Sequence, residues 1–212
     1  MIAPGGTTRT AGPGRRWRIA APLVALLAGG GMAACSNDNT ATTVRPVCSA
    51  GQDATASNAV VLMAQAVPTA TWVPCLRTAL PQGWTFRHLD ARTGVARFWL
   101  DSDRDGPDPI QVRLESSCDT IGSTEIPSDR EGMHRFERVT MTTPRFEGRR
   151  YYVFDGGCIT FDFKLDDRGE NRAEALALAT QSVGAISRKD LQAQVHAESG
   201  GRLELDPPRG SG

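Results

Sequence analysis

The sequence predicts an α+β domain: a largely antiparallel sheet of five or six strands, a short N-terminal helix, and two C-terminal helices on one sheet face. Three observations predict it. Apolar residues recur with period two from Trp84 to Leu165. Helical spacing flanks that stretch on both sides, at 57–68 and again from Asn171. The links between successive strands are short, which favours antiparallel pairing.

The chain opens with Arg9, Arg15, Arg16 and Arg18 and no acidic residue, then runs into "IAAPLVALLAGGGMAAC". A basic region, a short apolar run and small residues before a cut site make an export signal. Ile19 to Ala34 is shorter than the ~20 residues needed to span a bilayer, and Pro22 and Gly29 to Gly31 interrupt it. Met32-Ala33-Ala34-Cys35 resembles the lipobox of bacterial lipoproteins, and that resemblance makes Cys35 the candidate lipidation site, with residues 1–34 as the removed signal. The competing readings are a secretory cut that leaves Cys35 unmodified and an uncleaved anchor. Arg15-Arg16 suggests a twin-arginine signal, but Arg18 stands where an apolar residue belongs, which favours general secretion.

Residues 36–46, "SNDNTATTVRP", are small and polar, so 35–46 reads as a flexible tether. A single domain over 47–198 follows, and "GGRLELDPPRGSG" closes the chain as a loose tail over 199–212. Within the domain, Ser57 or Asn58 can cap a helix that Pro68 ends. "TWVPCLRTALPQGW" is punctuated by Pro74 and Pro81 and has room for one helical turn around Cys75. Strands are predicted at "WTFRHLDA", "VARFWL", "IQVRLE", "HRFERVTM", "RRYYVF" and "CITFDFKL", with Gly156-Gly157 as a tight hairpin turn. "NRAEALALATQSVGAI" carries Asn171 and Glu174 in a capping-box pattern, and "SRKDLQAQVHAES" repeats the device with Ser187 and Asp190.

Charge narrows the partners. Cleavage removes four of the 24 basic residues and no acidic one, leaving 24 acidic against 20 basic. A basic stripe for nucleic acid is therefore not expected. Four cysteines remain after Cys35: Cys48, Cys75, Cys118 and Cys158. In an oxidising compartment they form two disulfides out of three possible pairings. We favour Cys48 with Cys75 and Cys118 with Cys158, which closes two loops of moderate length. No C-x-x-C is present, so no redox pair or zinc knuckle is indicated.

Candidate sites are few. "DSDRDG" places Asp101, Asp103 and Asp105 ahead of Gly106, the opening of many calcium loops. An EF-hand is excluded, because position 12 is Val112, position 9 is Pro109, and the flanks alternate like strands. A β-flanked calcium loop wants Asp at position 9, and here Asp108 falls at 8. The alternative is a hairpin turn, which Asp, Ser and Gly favour. Arg149, Arg150, Tyr151 and Tyr152 are a candidate patch for a carboxylate, phosphate or sugar, against plain strand alternation. His88, His134 and His196 have no close-spaced partner, and there is no G-x-S-x-G. Trp72, Trp84 and Trp99 read as core or core-edge. No cofactor is expected.

Several segments resemble small exported lipoproteins of actinobacteria, a group of uncharacterised proteins. They are "MAAC" ending at Cys35, "AVPTATWVPCLRTALPQGW", "LDSDRDG", "RYYVFDGGCITFDF" and "SRKDLQAQV". In such lipoproteins the cysteine receives a diacylglyceryl group and becomes the acylated N-terminus, and two or more acyl chains hold a protein stably on a membrane. The resemblance implies a place and an architecture and brings no reaction. The expectation is a monomeric, lipid-anchored, extracytoplasmic domain of the cell envelope. Its role would be non-catalytic binding of an envelope protein or small ligand. An envelope hydrolase with dispersed catalytic residues is the alternative, and a lipid carrier would need a large apolar cavity.

Overall fold

The structure, a computed structural model, describes residues 40–49, 51, 54–77, 79–166 and 172–207. The signal segment, Cys35 and Asn171 lie outside the described residues.

The domain is mostly β, which corrects the α+β expectation of five or six strands. The elements run β1 (Thr40–Thr42), α1 (Asn58–Ala66), β2 (Trp72–Leu76), β3 (Trp84–Arg92), β4 (Val95–Ser102), β5 (Gly106–Glu115), β6 (Thr124–Ile126), β7 (His134–Met141), β8 (Phe146–Phe154), β9 (Gly157–Leu165), α2 (Arg172–Ser182), β10 (Val183–Ser187) and α3 (Arg188–Glu198). Eight strands form one antiparallel sheet in the order β1-β3-β4-β5-β9-β8-β7-β6, and β10 pairs with β2 in a separate ribbon.

All six predicted strands are present. The difference comes from four others that local pattern conceals. β1 and β6 are three residues each, too short for a periodicity to show. β2 replaces the helical turn expected around Cys75. β10 takes "VGAIS" from the end of the expected helix, where Gly184 and the branched Val183 and Ile186 weaken helical preference and pairing with 72–76 decides. The three helices among the described residues are short.

Alternation divides the large sheet into two faces. Ala96, Phe98 and Leu100 of β4, Ile110, Val112 and Leu114 of β5, and Ile159, Phe161, Phe163 and Leu165 of β9 point inward. Ala59, Val60 and Met63 of α1, Leu176 and Ala179 of α2, Leu191 of α3, and Val73 and Val183 of the ribbon join them in one apolar core. Burying a side chain of this size stabilises by roughly 1.5–3 kcal/mol. Ser187 caps α3 as expected, its Oγ accepting from the Asp190 N–H at 3.0 Å.

Two close approaches demand glycine. At Gly156, φ is +69° and a Cβ would collide with the Thr69 carbonyl. At Gly148, a Cβ would strike both the Arg138 carbonyl and the Phe163 ring. The segment beyond α3 packs on the domain: Leu205 is buried, its N–H donates to Gln192 Oε1, and the Asp206 N–H donates to Gln65 Oε1.

The disulfides are Cys48–Cys75, joining the chain before α1 to β2, and Cys118–Cys158, joining the β5–β6 loop to β9.

Candidate functional site

The outward face of the large sheet carries two neighbouring ladders of polar and aromatic side chains. Register fixes their order. One runs Asp90, Arg97, Arg113, Thr160, Tyr151, Phe136 across β3, β4, β5, β9, β8 and β7. The other runs Trp99, Gln111, Asp162, Arg149, Arg138. A bulge in β3 between Phe86 and Leu89 sets two residues against Trp99 alone, and it turns both outward. One of them, His88, stacks on Trp99 with ring centroids 4.3 Å apart and planes 17° from parallel. The other, Arg87, reaches the β4–β5 hairpin.

Arg97 and Arg113 stand directly opposite each other. Like charges so placed repel unless carboxylates intervene. Asp162 supplies one, bridging Arg113 at 3.5 Å and Arg149 at 2.6 Å, while Glu115 lies 3.1 Å from Arg113 Nε. Arg97 has Asp90 at 3.9 Å. Bonding to Asp162, and that carboxylate's charge, push the Arg149 guanidinium above its ordinary pKa. The β5–β6 loop covers the far end of the first ladder. Cys118, held to Cys158, places its sulfur 3.1 Å from Thr160 Oγ1, and Thr160 and Tyr151 are buried. Toward β3 and β4 the side chains stay partly exposed.

The Arg149–Tyr152 run obeys strand alternation. Arg149 and Tyr151 face outward, and Arg150 and Tyr152 face inward, so the four do not form one patch. The inward pair belongs to a partly buried ionic cluster whose members are scattered in the sequence. Arg150 donates from Nε to Glu137 Oε2 at 2.8 Å and from Nη1 to Thr180 Oγ1 at 3.0 Å. The Tyr152 hydroxyl donates to Asp129 Oδ1 at 2.9 Å. Arg130 lies over the Tyr152 ring and donates to the Val183 carbonyl at 2.6 Å. Burial drives the Arg130 pKa down and the Tyr152 pKa up. Burial also works to raise Asp129, but the Tyr152 hydroxyl and the neighbouring arginines overcome it, so Asp129 lies below the usual carboxylate range. Every acid here faces a cation or donor, and the cluster ties β7, β8 and the 129–130 loop to the α2–β10 junction.

Two of the three aspartates of "DSDRDG", Asp101 and Asp105, are engaged separately. Asp101 Oδ1 accepts the Asp108 N–H at 2.9 Å and holds Asp108 at φ +55°, a conformation costly for most side chains. The cation that Asp101 and Asp108 face is Arg87, at 3.8 and 2.7 Å. Asp105 accepts from the Ser102 hydroxyl and from the Asp166 N–H. Asp103 lies beside Gly83. Among the described residues no group of three His, Cys, Asp or Glu side chains is placed to hold a metal ion.

A cleft of about 410 Å³ opens beside this hairpin, with Trp84, Asp103, Arg104, Glu174 and Leu178 in its wall. A second, of about 540 Å³, lies between α1 and α3, lined by Val61, Val195, Glu198, Arg202 and Leu203 among others. Of the histidines, His134 pairs with Glu125 at 3.1 Å on the surface and His196 lies against Gly201, far in sequence from His88 and its tryptophan. The tryptophan–histidine stack was missed because the bulge that aligns it leaves no sequence mark. Trp99 itself shares phase with Arg97 and Asp101, which does mark it as outward.

No protein-family model, curated protein or solved structure matches the chain.

Proposed function

We propose that this protein is an envelope lipoprotein, held on the outer side of the cell membrane by acyl chains on Cys35. Its domain is a non-catalytic binding or accessory module. The observation that supports the binding role is the outward sheet face. It offers a flat stack of His88 on Trp99 beside Gln111, Arg97, Arg113 and Asp162, on strands fixed by a packed inner layer. Such a face presents ring, amide, cation and carboxylate to a partner without rearranging. Arg97, Arg113 and Arg149 on it are each paired with a carboxylate, and among its described residues no nucleophile is paired with a base, which favours recognition over hydrolysis.

Two measurements test the reading. Intact mass of membrane-purified protein is expected to show a chain beginning at Cys35 and carrying acyl mass. A chain that retains Met1 defeats the anchor. A photo-crosslinking residue in place of Gln111 is expected to give a discrete adduct in the intact envelope that the same residue in place of exposed Glu174 does not. Identical patterns at the two positions defeat the assignment of the face.

A further inference from the structure

We infer that the domain meets the lipid surface with the β3–β4 turn, and that the β4–β5 hairpin with its adjoining cleft is held away from the bilayer. The inference rests on anchoring at Cys35 and adds an orientation to it. Four residues, 36–39, separate Cys35 from Thr40, the first residue of β1. The five Cα–Cα steps from Cys35 to Thr40 reach about 18 Å at most when fully extended. Without strand β1 the tether would run loose to Val47. With it, the usable length is set at the sheet edge.

Register says which end of the sheet that is. Thr40 pairs with Ala91 and Thr42 with Leu89, so β1 begins at the end of the sheet that carries the exposed turn formed by Arg92, Thr93 and Gly94. The same end gathers Glu115 of β5, the Asp155-Gly156 turn and His134 of β7. Thr71 joins it through its bond to the Asp155 carbonyl. At the opposite end lie Trp84, Ser102, Gly106, Phe146 and Leu165. The eight residues of β4 separate the two ends by about 23 Å. An inverted domain would carry Thr40 farther from the membrane than the tether can follow. The near end has charges of both signs, Arg92, Glu115 and Asp155 among them, so tether length sets the orientation and adhesion to anionic lipid does not. The cleft beside Trp84 then opens toward the envelope space, and the outward sheet face stands clear of the lipid for much of its length.

The test uses the acylated full chain in phosphatidylethanolamine/phosphatidylglycerol vesicles whose headgroups carry a quencher. A fluorescent non-natural residue replaces Thr93 or Arg104, both exposed turn positions. Given the tether's reach, quenching at 93 is expected to exceed that at 104 by at least about twofold. Twenty Gly/Ser residues inserted between Asn39 and Thr40, which add roughly 25 Å of mean reach, are expected to abolish the difference. Equal or reversed quenching in a chain whose acyl mass has been verified overturns the orientation and leaves the anchor standing. A chain with unmodified Cys35 overturns both.

Discussion

The guanidinium of Arg130 lies 4.3 Å from the centre of the Tyr152 ring, and Asp129, the residue before it, accepts the hydroxyl of that same tyrosine. One loop thus grips one side chain from its face and its tip. Arg130 also caps the α2–β10 junction through the Thr180 and Val183 carbonyls. Arg130→Ala should therefore cost more than an ordinary surface arginine, about 2–3 kcal/mol in urea unfolding, because charged hydrogen bonds and ring contact disappear together. A loss below about 0.5 kcal/mol, the range of ordinary surface substitutions, would show the grip to be idle.

The same triad sets limits at both ends of the pH scale. Asp129 is depressed in the fold, so its contribution is present above the unfolded carboxylate pKa and is lost as pH falls through the lower folded value. Tyr152 is raised, chiefly by burial, so the unfolded chain ionises first and stability falls as pH rises from about 10. Asp129→Asn is expected to flatten part of the acid limb of stability against pH. Tyr152→Phe is expected to flatten part of the alkaline limb. The check is chemical denaturation from pH 3 to 11, and unchanged limbs in both variants would refute the assignment. The acid effect is the smaller, since the Asp129 side chain is half exposed to solvent.

Much of this architecture was legible, for a reason the residues make plain. "IQVRLE" and "CITFDFKL" are half-buried strands, and the two-residue repeat records which side meets the core. What was not legible depends on partners distant in sequence. β2 and β10 are strands because each has the other, more than a hundred residues away. The α+β expectation failed there and at the three-residue β1 and β6. The ionic cluster draws on the 129–130 loop, β7, β8 and α2, so no single stretch announces it. In the Arg149–Tyr152 run the structure follows strand alternation, the reading set against a patch, and successive side chains go to opposite faces.

The two sheet faces make opposite predictions for adjacent residues. Phe98 is fully buried in the inner layer. Phe98→Ala should cost about 3–5 kcal/mol, combining lost transfer energy with a cavity. Trp99, next in sequence, stacks outward on His88 and is only half-buried. Trp99→Ala should cost no more than about 1–1.5 kcal/mol, the value of an aromatic pair with modest burial. Unfolding of the two variants side by side decides it. A comparable loss at both positions would mean that the outward face is core, and the proposed binding surface would fail with it.

Calcium offers the sharpest contrast between the motif and its geometry. A site in "DSDRDG" would need its carboxylates turned to one point, and the native state would then gain stability as RT ln(1 + [Ca²⁺]/Kd). In the fold, Asp101 and Asp108 already share a cation, Arg87, and Asp105 bonds Ser102 and the Asp166 backbone. Binding an ion would require breaking those contacts and moving a guanidinium aside. The melting temperature is therefore expected to agree within about 1 °C between chelator and millimolar calcium, a shift well below what 1 kcal/mol of ligand stabilisation produces in a domain of this size. Arg87→Ala tests the cause. With the internal cation gone, Asp101 and Asp108 face each other unneutralised, and the hairpin should lose roughly 0.5–1 kcal/mol, the scale of an exposed ion pair. Calcium that raises the melting temperature of the unsubstituted protein by several degrees would show that the aspartates, and not Arg87, set the chemistry of this turn.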